Sequence, residues 1–218
     1  MSALSRPYGS TIALKFLMAV TGIIWFLYLL VHMSANLLIF GGPARINGYG
    51  HFIHTNPELL WTARVILIAA IAAHIVAAVY LYGRNWRLRG PGYVVRHYRE
   101  ADIASRTMIW GGVAVAAFIV YHLLDLTWGT VHPGYVPDDF YGNVVGSFRV
   151  WPVAVGYLVA QAALALHLYH GMWSIYQSLG WNHPLYNRWR RVFAVAFTVV
   201  VVGGFSSIPI AVLAGAVR

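Results

Sequence analysis

The chain contains no cysteine among its 218 residues. That excludes disulfides, cysteine-ligated iron–sulfur clusters, thiolate zinc sites and a thioether-linked haem, which needs Cys-x-x-Cys-His. Charge is also scarce. Only 10% of residues are Asp, Glu, Lys or Arg, and the acids number six. A soluble domain carries about 25%. Little sequence remains outside long apolar runs, so the chain reads as one membrane domain over 1–218 with no soluble catalytic unit.

What is present is apolar length. The hydrophobic share is 60%, and crossing a bilayer as a helix takes about 20 apolar residues. Five runs reach that length, near 14–40, 61–83, 107–128, 152–178 and 192–215, predicting an all-α integral membrane fold. The first reads as a retained span and not a signal peptide, because no small-residue cleavage site follows its apolar core. Trp61, Trp110, Trp128, Trp151, Trp181 and Trp189 fall near span ends, as an interfacial aromatic belt requires. No internal repeat or low-complexity tract is evident.

The net charge of +9 does not point to nucleic acid. The basic residues sit between spans, where they set orientation. Eleven lie on one side: Arg84, Arg87, Arg89, Arg96, Arg99, Arg106, Arg188, Arg190, Arg191, Arg6 and Lys15. Arg45, Arg64, Arg149 and Arg218 lie on the other, with four of the six acids, Glu58, Asp125, Asp138 and Asp139. The positive-inside rule puts the N-terminus in the cytoplasm and the C-terminus outside a cell membrane. The stretches 41–60 and 127–151 then read as outer loops. The second is long enough to suggest a functional cover.

Five histidines, His32, His74, His122, His167 and His170, stand inside the apolar runs. A histidine in hydrocarbon must be paired or bound, which makes each a functional candidate. Counting about 1.5 Å per helical residue, His32 and His122 fall some 24–25 Å from the basic side, and His74 and His167 about 15 Å. The histidines therefore form two layers about 10 Å apart. His32 pairs with His122, and His74 with His167 or His170, on alternating spans. Two stacked bis-histidine haems in a four-helix bundle would require this pattern. The fifth span has no histidine and is expected to pack outside. For any single histidine, a hydrogen bond across helices is an equally good explanation. Four in two matched layers are much harder to explain that way. His51, His54, His97, His132 and His183 read as solvated loop residues. Asp125 reads either as a proton-handling acid near the outer layer or as a solvated cap. Lys15, Arg84 and Arg106 read as snorkelling anchors or as partners of inner haem propionates.

At His167 a resemblance becomes specific. The segment HLYHGMWS (167–174), with Leu-Gly-Trp at 179–181, resembles the His-x-x-x-Gly-(Leu/Met)-Trp-Ser pattern of the cytochrome b subunit of succinate dehydrogenase and fumarate reductase. HMSANLLIF (32–40) is similar to the family's first-helix ligand region. His74 and His122 fall at its second- and third-helix ligand positions. DLTWG from Asp125, SLGWNHP from Ser178 and YNRWRR from Tyr186 look like actinobacterial-type members.

The resemblance implies a single-chain anchor with two haem b groups. It favours His167 over His170 as the ligand. Partner flavoprotein and iron–sulfur subunits would oxidise succinate and pass electrons through the haems to a quinone, menaquinone in this class. Succinate chemistry would reside in the flavoprotein. The partner subunits would dock on the cytoplasmic side. A quinone could bind near Ser10, Thr11, Lys15 and His170, or in an outer region of Tyr49, His51, Glu58, Arg64 and Asp125. Two haems favour the outer region. A glutamate that passes protons in some fumarate-reducing relatives is Ala165 here, which puts that coupling in doubt. The alternatives are a cytochrome b of a hydrogenase or formate dehydrogenase, and a proton-coupled transporter. The physiological direction and any higher oligomer of the complex stay open.

Overall fold

The computed structural model describes residues 11–88, 103–181 and 183–218. Among these residues every regular element is helical: α1 Thr11–Asn36, α2 Pro43–His54, α3 Pro57–Arg87, α4 Ile103–Leu126, α5 Phe140–Arg149, α6 Trp151–Ser178 and α7 Asn187–Leu213. Leu37–Gly41 and Pro184–Tyr186 are short 3-10 segments. Five helices are long and apolar enough to cross a membrane, and the chain is a multi-pass membrane protein. Leu27, Val31, Val65, Ile68, Val76, Val113, Val120, Val159 and Val199 point outward along these helices. Such a belt would be an aggregation surface in water and is ordinary lipid contact in a bilayer.

The stretches 41–60 and 127–151 are not plain loops. Each carries a short helix, α2 and α5. Local chemistry explains both. Pro43 opens α2 in the first helical turn, where a missing N–H costs nothing, and Pro57 does the same for α3. Asp139 caps α5, accepting from Gly142 N at 2.9 Å. The two helices pack together. Asn47 Nδ2 donates to Asp139 Oδ1 at 3.0 Å, and Tyr141 N donates to Asn47 Oδ1 at 2.8 Å. They form a cap over one end of the spans, here called the covered end. The other end carries Arg84, Arg87 and Arg106 and the start of α7, and is called the basic end.

The interior divides along the membrane axis. At the covered end Ile39, Ile46, Val145, Phe148, Tyr157 and Ile208 cluster. Toward the basic end the cluster is Ala19, Phe26, Leu168, Met172, Ala194 and Val201. The chief helix packings are α6 on α7, α1 on α3 and α4 on α6, with α1 also touching α6 and α7. Phe197 of α7 meets Phe26 of α1 at 5.4 Å between ring centres. The packing therefore draws no strict division into four helices plus an outlying fifth.

The turn leaving α4 positions part of the cap. Gly129 has φ +67, and a Cβ there would collide with Tyr135. Tyr135 Oη in turn donates to the Thr127 carbonyl at 3.1 Å. Gly129→Ala is expected to cost about 1–2 kcal/mol from left-handed strain alone. A lowered thermal midpoint of the detergent-solubilised protein checks this, and an unchanged midpoint contradicts it.

Candidate functional site

The helices bring the intramembrane histidines together in two pairs. The ring centres of His32 and His122 lie 5.9 Å apart, and those of His74 and His167 lie 6.4 Å apart. Each pair joins two helices absent from the chief packings, α1 with α4 and α3 with α6. Side chains thus meet where backbones stand apart. Two imidazoles sharing one metal ion, at about 2 Å from each ring nitrogen, hold their ring centres about 6 Å apart.

Three helices give the same spacing between layers. On α1, Gly22 backs onto His74, and His32 follows ten residues later; a Cβ at Gly22 would stand 3.9 Å from the ring Cε1. On α4, Gly112 backs onto His167 at 3.5 Å by the same measure, and His122 follows ten later. On α6, Tyr157 touches His122, and His167 follows ten later. Ten residues rise about 15 Å, so the layers are farther apart than the 10 Å expected. The reason is that the charges do not mark the helix starts: α1 begins at Thr11, ahead of Lys15, and α4 at Ile103, ahead of Arg106, so His32 and His122 lie deeper than a count from those charges gives.

Each pair has one histidine supported at Nδ1 by a hydroxyl. Thr21 Oγ1 is 3.1 Å from His74 Nδ1 and donates to the Leu17 carbonyl at 2.8 Å. Tyr157 Oη is 3.4 Å from His122 Nδ1 and donates to Asp125 Oδ2 at 2.8 Å. A hydroxyl has a single proton. With that proton given away, only lone pairs face the imidazole, an arrangement that suits the tautomer with hydrogen on Nδ1 and a free lone pair on Nε2. Orientation of a ligating histidine through its second nitrogen is a general feature of metal sites. His32 is stacked on Tyr28, with ring centres at 5.2 Å, and flanked by Phe205 at 5.6 Å. His167 Nδ1 is buried with no hydrogen-bond partner among the described residues.

This donor set suits haem iron. Each layer offers two imidazoles from different helices. Bare glycine backbone lies beside each histidine of the pair toward the basic end. Trp25 Nε1, Gln161 Oε1 and Thr198 Oγ1 are also buried without partners among the described residues. Trp25 and Gln161 fall between the layers by residue count. Buried polar atoms left this way cost about 1–3 kcal/mol each, a cost that a bound group offering them partners would relieve.

The other candidates scatter. His170 is half-buried one turn beyond His167, and Lys15 is exposed in the first turns of α1. Tyr49 lines an open groove of about 400 Å³ with Leu30, Val31, Ser34, Ala35 and Leu38. His51 and Glu58 are exposed. The Arg64 guanidinium lies over the Trp61 ring at 5.0 Å. Asp125 has different surroundings. It is 2% exposed and accepts from Ser147 Oγ at 2.7 Å as well as from Tyr157. It is therefore no solvated cap.

His132 also departs from expectation. Its side chain is only 6% exposed, and Nδ1 stands 3.1 Å from Asp125 Oδ1, at ion-pair distance without hydrogen-bond alignment. The reason is that an acid buried beneath the cap needs polar groups around it, and His132 is within reach. The signal was an aspartate in an apolar run, followed seven residues later by a histidine in a His-Pro-Gly turn. His54 is exposed but engaged, 2.8 Å from Asp138. His51 and His183 are exposed. His97, Ser10, Arg6, Arg89, Arg96 and Arg99 lie outside the described residues.

Arg188, Arg190 and Arg191 belong to α7 and not to a loop. Arg190 is 5% exposed, lies over the Trp173 ring at 4.5 Å and donates to the Trp181 carbonyl at 2.9 Å. It ties α6 to α7. The chain matches no known family model, curated protein or solved structure.

Proposed function

We propose that the chain is the di-haem cytochrome b membrane anchor of a succinate:quinone oxidoreductase. One observation carries the reading. Four histidines from four membrane helices meet as two pairs, at 5.9 and 6.4 Å, one pair at each of two levels. The HLYHGMWS segment around His167 narrows this to the succinate dehydrogenase and fumarate reductase type.

His32 and His122 hold one haem and His74 and His167 the other. A bound haem takes up and gives up one electron at a time. Thr21 and Tyr157 keep Nε2 of His74 and His122 available as donors. Helix packing and the outward apolar belt keep water from both levels. Partner flavoprotein and iron–sulfur subunits dock at the basic end, on the cytoplasmic side. Electrons cross to a quinone, menaquinone by resemblance, near the covered end. There the membrane potential assists uptake of protons from outside, by about 2.3 kcal/mol per charge per 100 mV.

The partners test this assignment. Affinity purification of the tagged chain from its own membranes is expected to bring down flavin and succinate oxidation coupled to quinone reduction. Copurified hydrogen or formate oxidation instead would move the chain to the rival cytochromes.

A further inference from the structure

The two histidine pairs differ in what stands behind them. Behind His74 the relay is Thr21 and then the carbonyl of Leu17, which is neutral. Behind His122 the relay is Tyr157 and then a carboxylate, Asp125. That carboxylate is 2% exposed. It accepts from Tyr157 and Ser147 on Oδ2 and faces His132 on Oδ1. The ends of the two relays are therefore a dipole and a charge.

We propose that Asp125 and Tyr157 are positioning residues that lower the reduction potential of the iron held by His32 and His122. The inference rests on the haem reading above. A carboxylate pulls on the phenol proton, so the phenol oxygen becomes a stronger acceptor toward His122 Nδ1–H. The imidazole then donates more strongly through Nε2 and favours the oxidised metal. A buried negative charge on the same side acts in the same direction. His132 lies on the other carboxylate oxygen and leaves the acceptor at Oδ2 in place. Thr21 does less, because a carbonyl behind it polarises it less. The pair at the covered end is thus the harder to reduce, and the cause is a residue in the chain and not the depth of the site.

Redox titration of the purified, haem-loaded complex, followed optically, tests this. Tyr157→Phe is the informative variant. It removes only the hydroxyl and keeps the ring against Phe148 and Phe118, at 4.8 and 5.0 Å between centres. Haem content is expected to stay at two. The lower of the two midpoints rises, so that its reduced-to-oxidised ratio at a fixed potential grows about tenfold, equivalent to 59 mV for one electron. The low-spin ferric resonance signal of the same haem shifts, and the other midpoint stays. Asp125→Asn moves the same midpoint in the same direction. Thr21→Val moves the other midpoint, and by less. Two bound haems with both midpoints unchanged in Tyr157→Phe overturn the inference and leave the haem reading standing. A shift of the higher midpoint in Tyr157→Phe also overturns it. An unaltered complex without haem overturns the haem reading, and the inference falls with it. Should Asp125→Asn fail to assemble, Tyr157→Phe decides alone.

Discussion

Alanine at His167 is expected to leave the purified protein with one haem instead of two. His74→Ala should lose the same haem, and His32→Ala or His122→Ala the other. The sign follows from the pairing. Each histidine meets one partner across the bundle, at 5.9 or 6.4 Å. Removing one leaves its layer with a single strong donor, while a layer about 15 Å away is untouched. The reduced spectrum should keep one set of bands, and the lost set should be the same for both members of a pair. His170→Ala should keep both haems. If His167→Ala keeps both haems and His170→Ala loses one, the ligand is His170. If His74→Ala and His122→Ala lose the same haem, the pairing is wrong.

The second large effect concerns stability. Asp125→Ala strands Tyr157 Oη, Ser147 Oγ and the buried His132 beneath the cap. Removing the shared acceptor leaves these buried polar groups unpaired, at about 1–3 kcal/mol each and about 3–5 kcal/mol together as the cap relaxes. For a chain of this size that is a fall of about 10 °C in thermal midpoint. Asp138→Asn is the contrast. The His54–Asp138 contact is just as short, 2.8 Å, but its side chains are 42% and 63% exposed. Exposed pairs contribute about 0–1 kcal/mol. Equal losses in the two variants, read by thermal unfolding in detergent, would show that burial at Asp125 does not decide the energetics.

The spans were legible because apolar length is a local property. The histidine pairs were legible for a related reason. In a membrane a polar residue must find a partner, and helix rise turns residue number into depth. His32 and His122 could be matched without knowing how the helices pack. Depth was legible only roughly, because α1 and α4 start ahead of Lys15 and Arg106, so a count from those charges understates the depth of the outer layer. Lateral packing was not legible at all. Nothing in the apolar pattern of α7 says that it lies against α6 and α1. The helices of the cap were missed for another reason. Pro, Gly and Asn in 41–60 read equally as loop or as helix boundaries, and α2 is held by Asn47 reaching Asp139, 92 residues away. His132 looked solvated because its partner, Asp125, belongs to the helix before it and is buried by α5 and α6 through Ser147 and Tyr157.

The central claim is that the two histidine pairs hold haem. Haem determination on the purified chain, as protoporphyrin per polypeptide with a reduced-minus-oxidised spectrum, tests it most directly. The account predicts two non-covalent haems per chain with b-type bands and low-spin ferric signals. Protein that folds and inserts in membranes of haem-replete cells and still contains no haem would contradict it.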